Sequence, residues 1–186
     1  MKIKEICNYA CALLGRSDIA EYLEKGSAEN LSEITNEVEV LVRLSNLVIS
    51  ELAVSYVPFL TTETINTSNG NIEFDMLKQK ALEVISVKTP DGKEATFVEY
   101  PSKIKTVTGR VEITYTYLPT DYSLEEEFNF PDNRITPSLI AQAVAGEYYL
   151  VEGFLEKAQA FFENYTNKIS ALYLKRGLRL HGGNYL

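Results

Sequence analysis

Apolar residues recur at spacings of three and four from the first positions onward. Ile3, Ile6, Cys7, Ala10, Leu13 and Leu14 share one side of a helix that Gly15 can cap. Asp18 followed by Glu21 has the form of a capping box opening a short second helix through Ile19, Ala20, Tyr22 and Leu23, with Gly26 as its stop. Asn30 and Glu33 repeat that start signal, and a long helix is expected from there to about Tyr56, where Pro58 imposes an extended conformation. On a wheel of about 100° per residue, Ile34, Val38, Leu41, Leu44, Val48 and Leu52 centre an apolar arc. Val40, Val42, Leu47, Ile49 and Val54 widen it to roughly 240°, against the ~100° stripe of a surface helix. Thr35, Asn36, Glu39, Arg43, Asn46 and Ser50 form the remaining polar strip. Such a helix needs cover on two sides, from its own chain or from a neighbouring subunit, and the pattern leaves both open.

Between Pro58 and Pro119 the period changes to two, most cleanly where Val111, Ile113, Tyr115 and Tyr117 alternate with Glu112, Thr114 and Thr116. Strands are expected near Leu60 to Ile65, Ile72 to Phe74, Leu82 to Lys88, Thr96 to Tyr100, Ile104 to Val107 and Arg110 to Leu118. The turns between them are written in Ser68-Asn69-Gly70-Asn71, which suits a hairpin, in Pro90-Asp91-Gly92 and in Thr108-Gly109. Apolar positions switch phase at Val84-Ile85, so that strand either carries a bulge or is buried on both faces.

Residues 120–135 read as a loop in which Leu124, Phe128 and Phe130 anchor while Glu125, Glu126, Glu127 and Asp132 stay wet. Helix resumes with Thr136 as N-cap and Pro137 at the first helical position, and Ala141, Ala143, Ala145 and Gly146 permit another backbone to come close. After a break at Gly153, Leu155, Ala158, Phe162, Tyr165, Ile169 and Leu172 alternate threes and fours, the partner helix of a carboxy-terminal hairpin. The fold class is therefore α+β, a bundle of amino- and carboxy-terminal helices with an inserted small antiparallel β sandwich or barrel. Its expected parts are amino-terminal helices over 1–57, a β module over 58–119, an acidic linker over 120–135, and a helical hairpin over 136–176 packing on 1–57. An extended tail over 177–186 completes the chain.

Composition narrows the function. A chain of 186 residues, 45% hydrophobic and 24% charged, lies in the ordinary globular range. No run approaches the roughly 20 apolar residues of a spanning helix, so no membrane is expected. Met1 to Gly15 shows no cleavable leader, which points to synthesis as mature protein in the cytoplasm. A net charge of -8 disfavours tight binding to free nucleic acid, which relies on clustered cations, yet an acidic wall lets a phosphate polymer slide past. Cys7 and Cys11 lie four apart on one helix face with parallel side chains, unsuited to a disulfide. With His181 as the sole histidine they form no metal tetrahedron and read as buried small hydrophobes.

Catalytic signals are thin. His181 sits in a basic, glycine-containing tail unsuited to holding a nucleophile's base, no phosphate cradle or dinucleotide fingerprint occurs, and no cofactor is expected. Glu125 to Glu127 is the densest acidic cluster, but three consecutive carboxylates in a loop point apart. The tail combines Lys175, Arg176, Arg179 and His181 with Leu178, Leu180, Tyr185 and Leu186, a composition that fits an acidic, partly apolar groove of a partner; a solvated terminus is the plain alternative.

The order of these elements resembles the head-to-tail connector, or neck adaptor, family of tailed bacteriophages, including the tubular neck proteins of podoviruses. The likeness runs through the long helix ending at Val57-Pro58, the turn Lys88-Thr89-Pro90-Asp91-Gly92-Lys93, and the strand Ile113-Thr114-Tyr115-Thr116-Tyr117-Leu118-Pro119. It continues into Leu124-Glu125-Glu126-Glu127 and the helix from Leu139 to Tyr149. The resemblance implies a non-enzymatic virion protein at the head-tail interface. Such a protein forms a homo-oligomeric ring, about twelve-fold, under the portal protein, meets the next neck or tail protein, and touches DNA only as a passing polymer. Val40, Leu44, Leu47 and Val54 become candidates for the subunit interface, and Lys175, Arg176, Arg179, His181, Tyr185 and Leu186 for portal docking. Two other classes stand beside it: a tail-associated carbohydrate hydrolase, which needs two carboxylates converging in a cleft, and a small host-cell adaptor, which would lie among genes unrelated to capsids.

Overall fold

The computed structural model describes residues 1–27 and 30–177. The chain is α+β. It divides into two compact units, one formed by Met1–Ile49 with Asp121–Leu186 and the other by Ser50–Thr120, so the division falls inside the long third helix, upstream of Pro58.

The first unit is helical. Helix α1, Ile3–Leu14, buries Ile3, Ile6, Cys7, Ala10 and Cys11 and ends on Gly15 in the left-handed region. Leu13, on the expected apolar face, is 40% exposed. Helix α2 spans Ser17–Lys25 and ends at Gly26 as expected, but its N-cap is Arg16 and not Asp18. Asp18 lies in the first turn, and its carboxylate accepts hydrogen bonds from the Arg16 guanidinium instead of capping the backbone. Helix α3 spans Leu31–Ser55.

Both cysteines are free and buried. Burial pushes the Cys7 thiol up to about 11 and, ahead of the repulsion from Cys7, the Cys11 thiol up to about 12.

Most of the wide apolar arc of α3 is in the core: Ile34, Val38, Leu41, Leu44, Val48, Ile49, Leu52 and Ala53 are all buried. The polar strip is narrower than the wheel implies, because Asn46 is only 6% exposed and Ser45 is fully buried. Ser45 donates its hydroxyl to the Leu41 carbonyl and lies 3.9 Å from Cys7 Sγ. The Asn46 amide donates to the Tyr122 carbonyl at 3.0 Å and accepts from the Tyr122 backbone N–H at 2.9 Å. One buried side chain thus satisfies both backbone groups of the residue at which the chain rejoins the helical unit.

The rejoining segment is tied down along its length. Phe128 is buried, stacks on Tyr122 with ring centroids 4.3 Å apart, and receives Phe130 edge-on at 6.5 Å. Its acids are less free than the composition implies. Glu125 pairs with Lys4 at 2.8 Å and Lys2 at 3.6 Å, Glu126 accepts from the Ser123 backbone, and Lys2 and Glu127 form an antiparallel bridge.

Helix α4, Pro137–Val151, opens with Thr136 as N-cap, its hydroxyl accepting from the Leu139 N–H, and packs on α1. Helix α5, Leu155–Gly177, returns against α4 as an antiparallel hairpin. A Cβ on Gly146 would sit 2.8 Å from the Phe162 ring, so the absence of a side chain there sets how closely the two helices approach.

The second unit carries six strands: β1 (Phe59–Thr67), β2 (Asn71–Glu73), β3 (Lys80–Lys88), β4 (Val98–Glu99), β5 (Lys103–Lys105) and β6 (Gly109–Leu118). They form two antiparallel sheets, ordered β1-β6-β3 and β2-β5-β4. Ile72 and Ile104 from the second sheet share one buried cluster with Ile65, Val84, Val87, Val111, Ile113 and Tyr115 of the first. The register of β3 on β6 slips at Ala81/Glu83 and again at Val84/Ser86, so the phase switch in the sequence is a pair of bulges. The turn Ser68–Asn71 does not close a hairpin; β1 pairs with β6 and β2 with β5, and the turn carries the chain from one sheet to the other.

Two substitutions test these packing arguments. Gly146→Ala forces a methyl into the Phe162 ring and is expected to cost about 1–3 kcal/mol, read as a lowered denaturant midpoint. Asn46→Ala strands the backbone groups of Tyr122 and is expected to cost about 1–3 kcal/mol in the same measurement.

Candidate functional site

The tip of the α4–α5 hairpin leaves four consecutive or near-consecutive large apolar side chains in water, Leu150, Val151, Phe154 and Leu155. Gly153, at φ 81°, terminates α4 in the left-handed conformation that a side chain disfavours. The Phe154 N–H then bonds the Tyr149 carbonyl at 2.8 Å and the Gly153 N–H bonds the Leu150 carbonyl at 3.1 Å, the paired bonds of a Schellman turn. The hydrophobic contact that accompanies such turns is present, with the Phe154 and Tyr149 rings edge to face at 6.1 Å. Phe161 stacks on Tyr149 at 5.6 Å, and Lys157 Nζ lies 5.0 Å from the centre of Tyr149 and 5.1 Å from that of Phe154.

This turn leaves Leu150 at 45%, Val151 at 65%, Phe154 at 52% and Leu155 at 65% exposure. Leu155 belongs to the regular stripe of α5, whose later members Ala158, Tyr165 and Ile169 are buried; it is the member at the tip, where α4 has ended and nothing covers it. Leu150, Leu155, Ala158 and Phe162 line an open groove of about 660 Å³, with Gln159 and Glu163 in its wall. Gln159 donates to the Glu163 carboxylate at 2.9 Å, and among the described residues Glu163 has no cationic partner.

At the other end of the hairpin, Asp132 accepts from Arg134 Nε at 2.9 Å and from the Tyr173 hydroxyl at 3.1 Å. Arg134 also donates to the Leu172 carbonyl at 3.0 Å. The Arg134 guanidinium holds the Asp132 carboxyl far below the usual carboxylate range. This clamp fixes the end of α5 from which the tail departs.

The residues singled out by sequence fall in different places. Leu44 is buried, so it belongs to the core and offers nothing to a neighbour; the regular α3 stripe that marked it is an interior stripe. Val40 is half-buried, whereas Leu47 at 52% and Val54 at 63% are exposed. Lys175 and Arg176 lie in the last turn of α5, where only the backbone is described, and Arg179, His181, Tyr185 and Leu186 lie outside the described residues. The hairpin tip was missed as a site, although Gly153 followed by Phe154-Leu155 marks an apolar turn in the sequence.

A second cavity, of about 610 Å³, is polar and lined in part by Arg16, Asp18, Glu21 and Glu33. Two of its carboxylates, Asp18 and Glu21, suit a general acid poorly, since such an acid must hold its proton near neutrality. Asp18 is held low by Arg16 and Glu21 by Lys25. Arg16 also donates to the Tyr148 hydroxyl at 3.0 Å, which in turn donates to Glu37 at 2.8 Å, so the cluster closes on itself. Among the described residues no group of three or more His, Cys, Asp or Glu is placed to hold a metal ion, and no helix is long and apolar enough to cross a membrane. No family model matches this chain, and neither does any curated protein sequence.

The Asp132 clamp makes a pH prediction. A carboxyl whose folded pKa is depressed contributes stability that is fully present above its unfolded value, near 3.8, and is lost as pH falls through the folded one. Asp132→Asn is therefore expected to be less stable than wild type at pH 7, with the gap closing as the pH is taken well below 4, measured by denaturation across that range.

Proposed function

We propose that this chain is a structural virion protein, a head-to-tail adaptor that forms a ring under the portal of a tailed bacteriophage and through which DNA passes. The observation that carries the reading is the uncovered apolar end of the hairpin, where Leu150, Val151, Phe154 and Leu155 stand in water around a groove. A rigid apolar surface built by a Schellman turn and braced by four stacked or edge-on aromatic and cationic side chains is an association surface. The order of elements, helices at both ends flanking a six-stranded β unit, is the outline that the resemblance to neck adaptors rests on. The negative net charge suits a conduit that repels phosphates. In this reading the portal protein and the next neck or tail protein are the neighbours above and below the ring, and the virion's head-tail interface is its location.

Size-exclusion chromatography with light scattering, on the full chain alone and mixed with portal protein, tests the reading. A multiple of the monomer mass is expected in one or both conditions. Leu150→Asp with Leu155→Asp is expected to weaken assembly about tenfold or more while leaving the far-ultraviolet circular dichroism unchanged, because both side chains already face water. A chain that stays monomeric in every condition, portal included, would end the ring proposal.

A further inference from the structure

We infer that the groove at the hairpin tip receives the carboxy-terminal segment, residues 175–186, of a second copy of this chain. This inference rests on the ring reading above and names the contact that would close the ring.

Charge is divided along α5 and the tail. No acidic residue follows Glu163, whereas Lys168, Lys175, Arg176 and Arg179 do. Toward the tip the order reverses: Glu147 and Glu152 lie at the end of α4, Glu156 and Glu163 in the first half of α5, and the cation in this stretch, Lys157, stands over the rings of Tyr149 and Phe154. Glu156 lies two turns before Glu163 on the same face of α5, and the hydrogen-bond partner of Glu163 there is the neutral Gln159. The groove is thus apolar along Leu150, Leu155, Ala158 and Phe162, with the Glu163 carboxylate in its wall. The segment beyond Lys175 is its complement, with Leu178, Leu180, Tyr185 and Leu186 set among Arg176 and Arg179.

Reach separates a second copy from the chain's own tail. Helix α5 rises about 33 Å from Leu155 to Gly177. The residues after Gly177, fully extended, span about 30 Å. A chain's own tail, doubled back and taut, brings only its last residues toward the Gln159 part of the groove and cannot lay Leu178 or Leu180 against Leu155 and Leu150. A neighbour's tail is under no such restriction. Donor and acceptor lie at opposite ends of one helix, so each copy gives one contact and takes another, the heterologous arrangement from which rings are built.

Gln159→Cys in the groove wall combined with Asn184→Cys in the tail tests the contact on the full chain, since Cys7 and Cys11 are buried and do not compete. Mild oxidation followed by a non-reducing denaturing gel is expected to show a ladder of covalent multimers. A cross-linked monomer would assign the groove to the chain's own tail, and no cross-link would leave it without the tail; either overturns the inference. In parallel, Arg176→Glu with Arg179→Glu, and Glu156→Lys with Glu163→Lys, are each expected to weaken self-assembly about tenfold, and all four in one chain to restore it. A tail variant that assembles normally but no longer binds portal protein would give the tail to the portal and overturn the inference while leaving the ring intact. If wild type forms no ring either alone or with portal, it is the ring reading itself that fails.

Discussion

The side-chain amide of Asn46 exchanges hydrogen bonds with both backbone groups of Tyr122, and the helical unit depends on that exchange. Its two halves are separated in sequence by the whole of Ser50–Thr120, so the chain must leave, build a second unit and come back to one place. The entropy of closing such an excursion grows slowly, by about 0.6 kcal/mol for each doubling of its length, so a long insertion is cheap provided the point of return is well defined. Asn46 defines it on one side, the stacked Tyr122 and Phe128 rings continue it, and the bridge between Lys2 and Glu127 fastens the same segment to the amino terminus. With the return point set, α4 is delivered onto α1, and α5 follows.

The apolar surface of the helical unit is distributed unevenly as a result. Helix α3, whose sequence has the widest apolar arc, is largely interior, and of its large apolar side chains Leu31, Leu47 and Val54 are the exposed ones. The hairpin tip, whose sequence shows a narrower and more regular stripe, ends in a cluster of exposed large side chains. The surface available for association is therefore decided less by how apolar a helix is than by where its covering partner stops.

Periodicity made most of the elements legible. Each of the six expected strands overlaps an observed one, with β4 shortened to Val98–Glu99 and Phe74 turned into a 3-10 helix, and the phase switch at Val84-Ile85 resolves into bulges because a slip of one residue keeps Val84 and Val87 both inside. Strand partners were not legible in the same way. A turn such as Ser68–Asn71 shows that the chain reverses, not whether its flanking strands stay in one sheet, and the pairing of β1 with β6 is set by a shared core that local sequence does not display. Asn46 looked like one more wet residue on the polar side of a helical wheel, since its partner lies 76 positions away. Leu155 looked like core because it keeps the spacing of Ala158 and Ile169; periodicity shows that a stripe exists but not that it outruns the helix it packs on. Asp18 had the spacing of a cap, and Arg16, two residues earlier, bound it first.

Cys7 and Cys11 are the chain's only sulfhydryls, both lie on α1, and both are held in the unreactive protonated form by their burial. An alkylating reagent can meet them only when α1 lifts from its neighbours. The protein thus carries, without any engineering, a chemical stopwatch for the lifting of α1.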